Sequence, residues 1–180
     1  MNLIPTLTTE RLLLRAPETR DIAPFAAFYA SERSHFVGGP LTAEGSWRML
    51  AMEIGHWTLK GFGRWIAETR NTGEAVGLIG LFEPEGWPEP EIGWDLFNGF
   101  EGKGYATEAG HAARAYAYDI LGWPTAISLV KPGNDGSAAV AKRLGAYPDG
   151  SITHERHGPM YVYRHPAPVE LADGGIEAYS

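Results

Sequence analysis

The sequence predicts a mixed α+β domain built on a single sheet. Three observations carry the prediction. Apolar runs of strand length alternate with helical periodicities in the order strand, two helices, three strands, helix, strand, helix, strand. The run at 64–70 and the run at 75–82 are joined by "NTGE", a turn sequence that supplies residues for positive φ and marks a hairpin. A length of 180 residues suits one domain with one sizeable core.

Each element has its own warrant. "ERLLLRA" (10–16) is a short apolar run ended by Pro17. "PETRDIAPFAAFYAS" places Ile22, Phe25, Phe28 and Tyr29 on one helical face, with Pro24 near the start, where a missing N–H costs little. Three glycines and a proline between 35 and 45 predict a loop. The second helix, 44–61, is unusually apolar through Trp47, Leu50, Met52, Ile54 and Trp57, and Gly61 suits its end. After the hairpin, an acidic, proline-bearing loop with Glu83, Glu85 and Trp87 leads to "EIGWDLF" (91–97), read as a strand. A glycine-rich segment opens a helix of roughly four turns closed by Gly122 and Pro124. "AISLV" (126–130) is the next strand, "KPGNDGSAAVAKRLGA" a capped short helix, and 150–164 a last strand or hairpin. The single domain is expected over 1–165, with a loosely held tail over 166–180.

Composition excludes several functions. At 44% hydrophobic and 21% charged the chain is an ordinary globular protein. A formal net charge of -7 argues against sequence-independent nucleic-acid binding. With no cysteine there is no disulfide, thiolate zinc site or cysteine nucleophile. The start of the chain lacks signal-peptide character and no apolar run is long enough for a bilayer, so a cytoplasmic location and no membrane partner are expected. "HERH" (154–157) offers two histidines but no evident third ligand, and reads as a solvated loop; no metal is expected.

The segment "NGFEGKGYATEAG" (98–110) concentrates glycine where a helix begins, although glycine disfavours helix. A strand running through glycines into a helix N-terminus clears a path for an anion to reach unpaired N–H donors. It is not a Walker loop, because Lys103 precedes Gly104 and no Ser or Thr follows the lysine. Nor is it a dinucleotide fingerprint, since the third glycine is misplaced and the preceding strands look antiparallel. A tight turn that binds nothing is the bland alternative.

"EGKGYATEA", preceded by "EIGWDLFNGF" and followed by "ISLVKPGNDGSAAVAKRLGA", resembles the GNAT N-acetyltransferases, particularly their RimJ/RimL-like branch. "TERLLLRAPETRDI" and "WIAETRNTGEAVGLIGL" extend the resemblance over most of the chain. It implies a mostly antiparallel sheet of six or seven strands, flanked by about four helices and splayed between the strands at 91–97 and 126–130. It also implies acetyl-CoA as cosubstrate and an amine as acceptor, a protein N-terminus or a small molecule. By the same resemblance the N–H groups of Gly102, Lys103, Gly104, Tyr105, Ala106 and Thr107 would receive the diphosphate. Glu101 stands where the family's loop carries Gln or Arg. Trp94, Asp95 and Leu96 would offer backbone to the pantetheine arm, and Asn134 would touch it. A homodimer is left open.

Direct transfer to an amine needs a neutral amine, a polarised thioester and help for the departing thiolate. Base candidates are Glu91 and Glu83, with Glu89 close behind; a strand-end or acidic-loop glutamate is the competing reading of each. The tyrosine that many relatives place on the helix after the 126–130 strand falls here on Ala141; the resemblance to the RimJ/RimL-like branch then implies Ser137, near the start of that helix, as the thiolate's partner, with helix capping as the alternative. Tyr105 reads as packing rather than acid. His56 and Trp57 are expected to line the acceptor pocket, core packing being the alternative, and Trp65 belongs to the core. Two rivals to an enzyme remain: an idle acyl-CoA-binding sensor, and a nucleotide-binding protein that prefers ATP or NAD.

Overall fold

A computed structural model describes residues 4–172 as one eight-stranded sheet with helices on both faces. In chain order the strands are β1 (Leu7–Thr8), β2 (Leu12–Arg15), β3 (Arg64–Thr69), β4 (Ala75–Phe82), β5 (Glu91–Leu96), β6 (Ile127–Val130), β7 (Tyr147–His154) and β8 (Gly158–Arg164). The helices are α1 (Ile22–Tyr29), α2 (Ala43–Lys60), α3 (Tyr105–Ala115), α4 (Asp135–Arg143) and the single turn α5 (Pro168–Glu170). Spatially the order is β1-β2-β3-β4-β5-β6-β8-β7. Every pairing is antiparallel except β5 with β6, which is parallel and registers at one pair, Glu91 with Ile127. The expected fold class holds. The strand count exceeds six or seven because β1 adds two residues beside β2 and the 150–164 segment is a hairpin whose returning strand inserts next to β6.

Alternation along β3 sends Trp65 and Ala67 to one core and Ile66 to the other. On one face the sheet meets α3 through Ala109 and Ala113, and the turn that continues it through Ala117, whose small side chains bring the helix close. The other face packs Phe25, Phe28 and Tyr29 of α1 and Leu50 of α2 against Ile66, Leu78 and Phe97. Gly61 ends α2 in the left-handed region at φ +79, as expected. The apolar reading of α2 needs correction, since Trp47, Met52 and Ile54 are exposed while Ser46, Leu50, Glu53, His56 and Trp57 are buried.

The expected loose tail is partly held. Tyr118 donates to the carbonyl of Pro166 at 2.9 Å, and Leu171 packs against the main core. Residues 173–180 of that expected tail lie outside the described residues. Among the described residues, no helix is long and apolar enough to cross a membrane.

Glycine is required where β4 carries the sheet past β5. A Cβ built on Gly77 would come within 2.5 Å of the Asp95 carbonyl oxygen, a backbone atom that cannot step aside. Gly77→Ala should therefore cost about 1–3 kcal/mol, a fall in Tm of roughly 2–10 °C in thermal unfolding. Gly55, inside α2 with open space around it, is the opposite case: Gly55→Ala should raise Tm slightly.

Candidate active site

The site begins where the backbone ladder between β5 and β6 stops. Ile127 N–H donates to the Pro90 carbonyl at 3.0 Å, as a parallel pair requires. The next N–H that β6 would give a regular ladder is that of Leu129, to the Ile92 carbonyl. Instead Ser128 Oγ donates to that carbonyl at 2.6 Å, and Leu129 N–H donates to Glu91 Oε1 at 3.0 Å. Two side chains thus close the apex of a wedge, and beyond it the strands part.

Which backbone groups the wedge exposes follows from alternation. Phe97 N–H bonds to Val76 on β4, so the odd-numbered residues of β5 turn their backbone to β4 and the even-numbered ones face β6. Trp94 and Leu96 therefore present N–H and C=O to the opening, though the Leu96 carbonyl already accepts from Arg33 Nη1 at 3.1 Å. Asp95 does not: its carbonyl lies against Gly77. The expectation that Asp95 offers backbone to a ligand is corrected by this parity.

Glu91 is 8% exposed. Its second oxygen accepts from Trp87 Nε1 at 2.8 Å, so an indole from the 83–90 loop fixes the carboxylate. Burial pushes its pKa up to about 7, against the opposing pull of the Leu129 N–H, Arg64 and the Trp87 indole. A carboxyl poised near neutrality at the mouth of a cleft is suited to exchanging protons. The other two glutamates are not comparable. Glu89 is held by Arg164 through two bonds of 2.7 and 2.9 Å, and that bonding keeps its pKa below the ordinary value. Glu83 does not line the cavity; its backbone N–H donates to His56 Nε2 at 3.0 Å.

That bond also corrects the reading of His56. Because Nε2 accepts, Nδ1 carries the proton and donates to the Phe62 carbonyl at 2.7 Å. His56 is 5% exposed with both nitrogens committed to backbone, a brace between α2 and the end of β4. Trp57 donates to the Arg64 carbonyl and packs edge-on against Trp65. Neither lines the cavity.

The cavity itself, about 780 Å³, opens between residues 35–52, the loop after β4, and the β5–β6 wedge. The loop after β4 contributes Pro84, Glu85 and Trp87. A third wall comes from the β7–β8 turn, where His154 lies tilted against Trp87 and His157 meets it edge-on, at centroid distances of 5.0 and 5.5 Å. The "HERH" segment is therefore part of the site wall rather than a solvated loop. Among the described residues no cluster could hold a metal.

Ser137 and Asn134 stand on the far side of the wedge. Asn134 caps α4, its side-chain oxygen accepting from Ser137 N–H at 3.2 Å. Ser137 is thus in the first turn and is not the cap, which removes the competing reading of its hydroxyl. Its Oγ accepts from Trp94 Nε1 at 3.1 Å, leaving the hydroxyl hydrogen for another acceptor. Ala141 is fully buried, with no tyrosine hydroxyl in its place.

The glycine loop leads into α3. Gly102 and Gly104 have φ +74 and +80, and Gly104 is an N-cap without a side-chain cap bond. The first intrahelical bond is Glu108 N–H to the Gly104 carbonyl, so the N–H groups of Gly104, Tyr105, Ala106 and Thr107 precede the ladder. Arg11 steadies the loop: it donates to the Lys103 carbonyl at 2.8 Å, pairs with Glu108 and lies 4.8 Å over the Tyr105 ring. Tyr105 is packing, as expected. Lys103 Nζ sits over Phe100 at 5.1 Å, and Glu101 pairs with Arg33.

Sequence reasoning missed Trp87 as the partner of Glu91, and a buried network of Tyr29, Glu53, Arg64 and Asp95. One signal was available. Glu53 lies three residues after Leu50 and four before Trp57, a charge on the buried face of a helix.

The sequence profile described as "Acetyltransferase (GNAT) domain" matches residues 11–147. An acetyltransferase from Agrobacterium tumefaciens str. C58, solved by crystallography, is 40% identical and superposes with a TM-score of 0.83, covering 91% of this chain and 95% of that one. Two Bacillus subtilis proteins are also similar. YkkB is 30% identical over 91% of this chain and 96% of its own. The N-acetyltransferase YoaA is 25% identical over 93% and 94%.

The raised pKa of Glu91 has a consequence for stability. The folded state binds this proton more tightly than the unfolded chain, so the contribution is fully present below about pH 4.5 and is lost as pH rises through about 7. Above that the buried charge costs about 3 kcal/mol. Glu91→Gln removes the titration, so the Tm of the variant relative to wild type should rise by several degrees between pH 5 and pH 8. Parallel melting curves would refute the shift.

Proposed function

Because the chain belongs to the acetyltransferase (GNAT) family, we propose that it transfers an acetyl group from acetyl-CoA to a primary amine by direct attack in a ternary complex. The observation that carries this reading is Glu91, a buried carboxyl with a pKa near 7 at the apex of the wedge and in the wall of the cavity. The first-turn N–H groups of α3, reached through Gly102 and Gly104, suit the diphosphate, with Lys103 as added charge. Trp94 and Leu96 would bond the pantetheine arm as though it were the missing strand neighbour, with Asn134 alongside.

Glu91 is the general base. It accepts the proton from the attacking nitrogen, directly or through water, as the carbon–nitrogen bond forms. Collapse of the tetrahedral intermediate breaks the carbon–sulfur bond, and the thiolate receives a hydrogen bond from Ser137, whose hydroxyl hydrogen is uncommitted. A thiol pKa of about 8.5 means that only modest help is needed. The acceptor enters through the cavity walled by residues 35–52, Trp87 and the β7–β8 turn. A space of about 780 Å³ suits a small amine or one N-terminal residue. An RimJ/RimL-like preference for protein N-termini is the narrower form of this reading.

Release of CoA during incubation with a panel of small amines and peptides tests the activity. Binding of acetyl-CoA without turnover on any amine would favour a sensor, and preference for ATP or NAD would overturn the cofactor. Three further outcomes are expected. Glu91→Gln should lower kcat by about two orders of magnitude, with the loss shrinking at high pH, where the amine is already neutral. Ser137→Ala should lower kcat roughly tenfold to a hundredfold with Tm and acetyl-CoA affinity nearly unchanged, since Asn134 retains the cap. Acetyl-CoA should bind at least about a hundredfold more tightly than S-acetylpantetheine. Gly104→Val, strained at its positive φ, should remove most of that advantage while leaving the pantetheine affinity. Equal affinities of wild type for the two ligands, measured by calorimetry, would refute the loop assignment.

A further inference from the structure

The floor of the cavity carries a carboxylate that the proposed transfer does not use. Asp95 is 4% exposed and lies in the cavity wall. Its Oδ2 accepts from Tyr29 Oη at 2.8 Å and from Arg64 Nη1 at 2.8 Å. Among the described residues nothing donates to Oδ1, and that oxygen is not one of the fully enclosed atoms lacking a partner. It therefore faces the cavity. Arg64 gives its Nε and Nη2 to Glu53, which is completely buried.

Charge bookkeeping gives the site its character. Two carboxylates share one guanidinium, and Tyr29 is held neutral, its pKa raised well above 10 by burial and by Asp95. Counted formally, the buried group carries an excess of one negative charge, and burial together with Glu53 pushes the Asp95 pKa up against the pull of Arg64 and Tyr29. Such an excess in a low-dielectric floor is costly unless a cation comes to it. Besides Arg64, the cavity wall carries Arg48, which pairs with Glu44, Lys131, which donates to the His35 carbonyl at 3.3 Å, and Arg156 on the β7–β8 turn; among the described residues none of these three bonds Asp95. The neighbouring wall is aromatic, with the Phe82 ring 4.8 Å from the Arg64 guanidinium carbon.

Asp95 and Glu91 lie on the same face of β5, four residues apart, with only Gly93 between them on that face. Their Cα atoms are thus separated by roughly 13 Å along the strand. A Cβ on Gly93 would touch nothing nearer than the Glu91 carboxylate at 3.9 Å, so the path between the two carboxyls is clear. Resting on the transfer reading above, we propose that Asp95 Oδ1 anchors a second cationic centre of the acceptor while Glu91 serves the reacting nitrogen, so that the preferred substrates are amines carrying two positive charges. Asp95 is then a specificity residue, and its effect lies in binding rather than in the chemical step.

The test compares n-alkylamines with α,ω-diaminoalkanes of matched length, from four to eight carbons. Wild type should show kcat/KM at least about thirtyfold higher for the best diamine than for its monoamine, corrected for two equivalent ends, with the difference in KM. Asp95→Asn, which keeps the shape and the tyrosine bond, should bring that ratio to within threefold of one. Two results would overturn the anchor: a wild-type ratio near one, which needs no variant to fold, or an equal loss on monoamine and diamine in the variant. Calorimetry of the same diamines with the CoA-saturated protein separates this from failure of the transfer reading. With no turnover on any amine, diamine binding that is weakened at least tenfold by Asp95→Asn still supports the anchor. Diamine binding that is absent, or indifferent to the substitution, refutes it.

Discussion

Between Ile127 and Leu129 the ladder joining β5 to β6 changes from backbone to side chain, and the geometry of the site follows from that change. A parallel ladder continued for two more residues would have used up the backbone of Trp94 and Leu96. The Ser128 hydroxyl and the Glu91 carboxylate satisfy the Ile92 carbonyl and the Leu129 N–H at the point where the strands part. Both backbone groups that the lost ladder would leave orphaned are satisfied in this way, so the sheet can open there at modest cost, although the buried Nδ1 of the neighbouring His165 has no partner among the described residues. Behind Ser128 stands His165, whose Nε2 is 2.9 Å from the hydroxyl. Because that hydroxyl donates to Ile92, His165 must donate to it, and burial with nearby Arg114 and His111 lowers the imidazole pKa to about 3.

The same carboxylate that closes the wedge is the base candidate, and this coupling is a compromise. A group that only braced β6 would do so best fully ionised; burial instead raises its pKa to about 7, against the Leu129 N–H, Arg64 and the Trp87 indole, which pull it down. The fold therefore spends stability above neutral pH at the position where proton exchange is useful. Beneath it, the Arg64 network anchors α1 and α2 to β3 and β5 with charges rather than with apolar contacts alone. Such networks add little net stability but tolerate few alternatives, since removing one partner strands another.

Much of the fold was legible because its signals are local. The "NTGE" turn, the strand runs, Gly61 and Gly145 as helix ends and the glycine entry to α3 each have a short-range cause. The insertion of β8 between β6 and β7 was not legible, because pairing order depends on contacts distant in sequence. Site residues divide in the same way. Glu91 could be singled out as a strand-opening glutamate after a proline-rich loop, but nothing local distinguished it from Glu89, which only the tertiary structure hands to Arg164. His56 and Trp57 misled because an apolar helix beside a cleft can turn either face to it, and their hydrogen bonds to Phe62 and Arg64 could not be foreseen. The parity that excludes the Asp95 backbone required the β4 register, Val76 against Phe97.

Amide exchange at single-residue resolution, with and without acetyl-CoA, tests the central claim that the wedge receives the cofactor as a strand. Trp94 and Leu96, whose N–H groups face the opening, should gain protection on binding, together with Gly104 to Thr107 at the start of α3. Asp95, already bonded to β4, should change little. Protection that ignores this alternation, or that appears at α3 without Trp94 and Leu96, would contradict the account.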